Sequence, residues 1–152
     1  MMMRGYQLLY VLALVLVPGK LFQAQDVRPA NVIHIQVEGL RNNTGQVICS
    51  LYSSPEGFPK NSHRALARGE SLISGKQGAC EFRGVEPGTY AVSVFHDENS
   101  NGKLDTGFLG IPREGVGASN GATGHFGPPK FKAAAFHYSG GRLDLKITIK
   151  YL

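Results

Sequence analysis

The chain has no tryptophan, only two cysteines, and no block of like charge. Its longest apolar run, LLYVLALVLV at residues 8–17, is ten residues, whereas a helix needs roughly 20 apolar residues to cross a bilayer. A permanent single-helix anchor is therefore not expected, and no cysteine closely follows the run to carry a lipid. No CxxC spacing exists, so a thiolate zinc site lacks its usual ligand set. Lysine and arginine are scattered without aromatic interleaving, which leaves no electrostatic footprint for nucleic acid.

What is present at the start has the layout of an export signal. Arg4 precedes the apolar run, Pro18 and Gly19 break it, and the small residue Ala24 stands ahead of Gln25. The expected organisation is a signal peptide over residues 1–24, a linker over 25–31, and one domain over 32–152. Cleavage after Ala24 would remove Arg4 and Lys20 and no acid, lowering the formal net charge from +5 to +3. The expected destination is the periplasm or the exterior, with no stable membrane span after cleavage. In that oxidising setting a Cys49–Cys80 disulfide is expected, with two buried free thiols on separate strands as the alternative.

The rest reads as β-structure. Ile33, Ile35 and Val37 alternate with His34 and Gln36, and Val47, Cys49 and Leu51 share one face of a second strand. Between them Asn42, Asn43, Thr44 and Gly45 form a turn, so a hairpin with a longer loop is predicted. Residues 53–78 read as a loop with a helical turn near 62–67 and a short strand near 71–74. Cys80 and Phe82 share a strand face, residues 89–95 are rich in β-branched and aromatic side chains, and residues 133–138 suggest another strand. Leu143, Leu145, Ile147, Ile149 and Tyr151 alternate cleanly in the last one. About seven strands in a chain of this length predict an all-β, two-sheet sandwich of immunoglobulin-like proportions.

Residues 97–130 lack periodic apolar character and are rich in glycine, proline and asparagine. Long loops of this kind are often functional, so the site is expected here. Asp97, Asn99 and Asn101 alternate ahead of Gly102, Lys103 and Asp105, which matches the first half of a calcium loop in which Lys103 would serve through its backbone carbonyl. The twelfth position, where a bidentate glutamate closes such a loop, is Phe108. An Asx-rich structural turn is the competing reading. His96 closes the preceding strand on the face of Tyr90, Val92 and Val94. With Asp97 and Glu114 it makes the one acid-base set that a hydrolase reading could use. Residues 117–121 match the GxSxG string, but outside the strand-turn-helix setting that gives it meaning. Phe108, Ile111, Phe126 and Phe131, with neighbouring prolines, are expected to pin the loop across one end of the sandwich, with exposed aromatics beside polar residues as the alternative.

The strings Val94-Phe95-His96-Asp97-Glu98-Asn99-Ser100-Asn101-Gly102-Lys103-Leu104-Asp105, Phe108-Leu109-Gly110-Ile111-Pro112-Arg113-Glu114-Gly115 and Phe126-Gly127-Pro128-Pro129-Lys130-Phe131 resemble the bacterial family called domain of unknown function 2141. The resemblance covers roughly residues 33–152. It implies export and a small sandwich similar to prealbumin-like or carboxypeptidase-regulatory-like domains. Val116 and Ala118 stand where the family usually carries an aromatic residue. Two functions follow as expectations. The first is a non-enzymatic binding or structural module of the envelope, with a protein or glycan partner, calcium-stabilised at residues 97–105 under the metal reading. The second is a hydrolase-type enzyme using His96, Asp97 and Glu114 in a loop pocket.

Overall fold

Period-two alternation decides which side chains meet in the core. In the structure, a computed structural model describing residues 30–152, Ile33, Ile35 and Val37 are buried against Val47, Cys49, Leu51, Val92 and Val94. The expected signal segment over 1–24, its cleavage at Ala24 and most of the linker lie outside the described residues. Eight strands carry these positions: β1 (Val32–Glu38), β2 (Gln46–Tyr52), β3 (Ala67–Leu72), β4 (Gly78–Arg83), β5 (Gly88–Asp97), β6 (Val116–Ala118), β7 (Phe136–Tyr138) and β8 (Arg142–Thr148). One sheet has the order β4-β1-β8 and the other β3-β2-β5-β6, with β7 pairing the start of β5. The all-β sandwich is as expected. The strand beyond the expected seven is β6, which arises inside the stretch read as lacking core elements.

The predicted hairpin between the first two strands does not form. β1 and β2 belong to opposite sheets, because each presents an apolar face and the two faces bury one another only across the sandwich. β1 instead pairs antiparallel with β4 and parallel with β8. The strand expected near 71–74 lies earlier, at β3, and the helical turn is a short one at Ser62–Arg64, capped by the Asn61 side chain on the His63 N–H. The strand expected over 133–138 is split into a single turn, α1 (Phe131–Ala134), and β7. Among the described residues no helix is long and apolar enough to cross a membrane.

Different devices tie the sheets at their two sides. On one, Cys49 of β2 and Cys80 of β4 form the disulfide, with Cα atoms 6.5 Å apart. On the other, Val116 of β6 and Lys150 exchange both backbone hydrogen bonds at 2.8 Å. That approach requires glycine on either side of Val116, since a Cβ at Gly115 would lie 2.4 Å from Ile149 and one at Gly117 2.8 Å from Ile147.

The disulfide closes a separation of 31 residues. Removing it by reduction, or in a Cys49→Ala/Cys80→Ala variant, is expected to cost about 3–4 kcal/mol by relaxing the unfolded chain. Denaturant titration of oxidised and reduced protein measures this, and coincident midpoints would show that the bond contributes nothing.

Candidate functional site

β5 brings His96 inward by the same alternation that buries Val92 and Val94, and ends on Asp97. Both residues have no exposed surface. Gly45 makes room for this end: its φ is +74°, and a Cβ there would sit 2.0 Å from the Asp97 carbonyl oxygen. A buried carboxylate has to be met by donors. Asp97 Oδ2 accepts from the Gln46 amide at 2.9 Å and the Gly102 N–H at 2.8 Å, and Oδ1 accepts from the Asn101 N–H at 3.0 Å. The chain after β5 must therefore fold back over the carboxylate.

Asparagine side chains continue the turn. Asn99 Oδ1 accepts from the Asn101 N–H at 3.1 Å and Asn101 Oδ1 from the Lys103 N–H at 2.8 Å, successive Asx turns. Their amide groups both donate to Asp105, at 2.8 and 3.1 Å. Glu114, also buried, closes the loop by accepting from the Glu98 N–H at 2.8 Å and the Asp105 N–H at 2.9 Å. The structure thus brings together Asp97, Asn99, Asn101 and Asp105, while Lys103 enters through its N–H. A hard cation wants oxygens on the inside, whereas here the carboxamide N–H groups face Asp105 and the oxygens face the backbone.

His96 has a different set of partners. Its Nε2 lies 2.7 Å from the Thr44 carbonyl, which only accepts, so Nε2 donates. Nδ1 lies 2.7 Å from the Tyr151 hydroxyl, whose oxygen accepts from the Arg41 N–H at 3.0 Å. The Arg41 guanidinium stacks 4.6 Å over the Tyr151 ring and grips Glu98 at 2.6 and 2.8 Å. That grip holds the Glu98 carboxyl below the usual carboxylate range, and burial pushes the Tyr151 hydroxyl up. His96, Asp97 and Glu114 sit at the same end of the sandwich, but each polar atom that would act in hydrolysis is already bonded within the fold.

Ser119 of the GxSxG string is buried, and its Oγ donates to the Ala134 carbonyl at 2.6 Å while accepting from the Val92 N–H at 2.9 Å. It fastens α1 and β6 to β5. The expectation that the loop aromatics act as pins holds for Phe131, which packs edge-on against Phe58. It fails for Phe108, Ile111 and Phe126, exposed at 84 %, 52 % and 105 %; Leu109 beside Phe108 is exposed as well. For the 97–115 segment the reason lies at its base: carboxylates and asparagines bind the loop there, leaving Phe108, Leu109 and Ile111 at the tip unneeded for packing. Gln46, Arg41 and Tyr151 are site residues that sequence reasoning missed. Tyr151 lay in the last alternation, but Gln46 meets Asp97 only through a strand register spanning 51 positions.

A family model described as an uncharacterized protein conserved in bacteria (DUF2141) matches residues 35–146. No curated protein and no solved structure matches the chain.

Replacing Asp97 with alanine orphans the Asn101 and Gly102 N–H groups and the Gln46 amide, and is expected to cost about 2–4 kcal/mol in denaturant titration. Asp105→Ala, whose partners are exposed side chains, should cost less than about 1 kcal/mol. The lowered Glu98 carboxyl contributes stability that is complete above its unfolded value and is lost as pH falls through the folded one. Melting temperatures taken from neutral pH to about pH 3 should therefore fall less steeply for Glu98→Gln than for the parent. Parallel curves would remove Glu98 from the acid response.

Proposed function

The chain belongs to the bacterial family DUF2141, and we propose that it acts as a non-enzymatic, exported module of the bacterial envelope that binds a protein or glycan partner. The observation supporting this reading is the division of labour in the 97–115 segment. Polar side chains of the segment are consumed in holding the base of the loop, and three of its large apolar side chains, Phe108, Leu109 and Ile111, are left outside. Preordering lowers the entropic cost of engaging a partner. Leu109 adopts φ +60° at the tip, a conformation unfavourable for a leucine unless its surroundings impose it. Under this reading the 97–105 loop is an Asx-rich turn complete without metal, and the exposed tip is the contact surface.

Phe108→Ser/Leu109→Ser should leave the melting temperature within about 2 °C of the parent, because the lost side chains touch mainly solvent. The same variant should lose most of its cosedimentation with purified envelope fractions. Unchanged cosedimentation would overturn the contact surface. Thermal melts in millimolar calcium and in chelator are expected to coincide. A calcium-dependent rise that Asp105→Ala abolishes would turn the loop into a metal site instead.

A further inference from the structure

β3 is the outer strand of its sheet, paired only with β2 among the described strands. Which of its backbone groups remain free follows from the ladder. The His96 N–H goes to the Gly115 carbonyl and the Val92 N–H to Ser119, so even-numbered residues of β5 point their main chain away from β2 and odd-numbered ones toward it. The pairs Ile48↔Phe95 and Ser50↔Ser93 then commit even residues of β2 to β5, and leave Val47 and Cys49 to bond Ser71 and Gly69 of β3. The N–H and C=O groups of Arg68 and Glu70 consequently face outward from the edge.

The sequence along that edge is self-complementary: Leu66-Ala67-Arg68-Gly69-Glu70-Ser71-Leu72. Two copies placed antiparallel about a two-fold axis at Gly69 set Arg68 opposite Glu70 of the second copy, and Glu70 opposite its Arg68. These are the positions whose outward backbone groups exchange hydrogen bonds. The same register brings Leu72 toward Leu66 of the second copy at both ends, where Leu66, just ahead of β3, turns its N–H inward to the Leu51 carbonyl at 2.7 Å and offers only its side chain. Arg68, Glu70 and Leu72 are exposed, Leu72 at 84 %, and Leu66 is exposed at 57 %. Opposite charges and apolar pairs directly across an antiparallel ladder stabilise it. Within one chain Arg68 and Glu70 already lie 3.2 Å apart, so the second copy converts a surface pair into a square of four alternating charges.

We propose that the protein forms a two-fold homodimer by joining its β3 edges in this register, making one continuous sheet across two copies. β4, one of the two outer strands of the opposite sheet, carries Glu81 and Arg83 but does not offer the same pairing, because Gly84 at φ +68° ends the strand directly after Arg83. The proposal stands apart from the reading of the 97–115 loop and does not depend on it. One strand pair buries less than the roughly 1,200 Å² of a stable interface, so the association is weak and reversible.

Sedimentation velocity on the purified full chain over about 10 µM to 1 mM reads the equilibrium. Arg68→Glu and Glu70→Arg each place like charges opposite one another twice, and each is expected to raise the dissociation constant by about tenfold or more. An equimolar mixture of the two variants restores full complementarity, glutamate facing arginine at every pair, and should recover parental association as a heterodimer. That recovery cannot come from a general surface effect. Leu72→Asp, at an exposed side chain, should weaken association through the apolar pair and serves if either reversal impairs folding. A parent that stays monomeric throughout, association that the reversals leave intact, or a mixture no tighter than its components would overturn the proposal.

Discussion

A carboxylate with no access to water dictates the shape of everything that follows β5. Leaving Asp97 unpaired at a buried strand end would cost several kcal/mol, and the donors that meet it come from places the chain must be bent to supply. The Gln46 amide is delivered by strand register, and the Asn101 and Gly102 N–H groups by a turn that needs positive φ at Ser100 and Gly102. Glu114 repeats the device seventeen residues on, pinning Glu98 and Asp105 by their N–H groups. Two buried acids thus do for this loop what a hydrophobic cluster does elsewhere, and Phe108, Leu109 and Ile111 between them are free to point out.

The same economy organises the ends of the sheets. His96 links the Thr44 turn to Tyr151, Tyr151 receives the Arg41 N–H, and Arg41 returns to Glu98. Three stretches of chain, the turn between β1 and β2, the end of β5 and the residues after β8, are joined there by polar bonds through a buried ring. Midway along β5 Ser119 does similar work between β5, β6 and α1. No buried side-chain nitrogen or oxygen among the described residues lacks a partner, as a well-specified interior requires.

Much of this was legible in the sequence and some was not, for definite reasons. Alternation placed Ile33, Ile35, Val37, Val47, Cys49, Leu51 and His96 on buried faces, because a period of two survives any arrangement of the sheets. It was silent on whether β1 and β2 pair or oppose, since an apolar face is satisfied either way, and the hairpin expected at the Asn42 turn was the result. β6 escaped notice because Val116, Gly117 and Ala118 are a short run whose glycine is dictated by close backbone approach to β8, a tertiary cause with no local pattern. The clustering of Asp97, Asn99, Asn101 and Asp105 was visible from spacing alone. Which way the carboxamides face was not, because it is set by the N–H groups that the fold brings to their oxygens.

Loop and edge are physically connected. Arg68, at the free strand edge, donates to the Gly102 carbonyl at 3.1 Å, so the base of the 97–105 loop rests against β3 and its position follows that strand. A two-fold axis perpendicular to the sheet keeps both copies of an outward-facing feature on the same face. Joining the β3 edges therefore carries two such loops side by side on one surface. Under the proposed dimer and the proposed contact surface, two weak contacts held at fixed separation would act on a repetitive partner as one stronger attachment through effective concentration. The dimer also gives an edge strand that ordinarily invites aggregation a closed, self-limiting use, because a two-fold pairing consumes the free edge of each copy and offers no further β3 to extend.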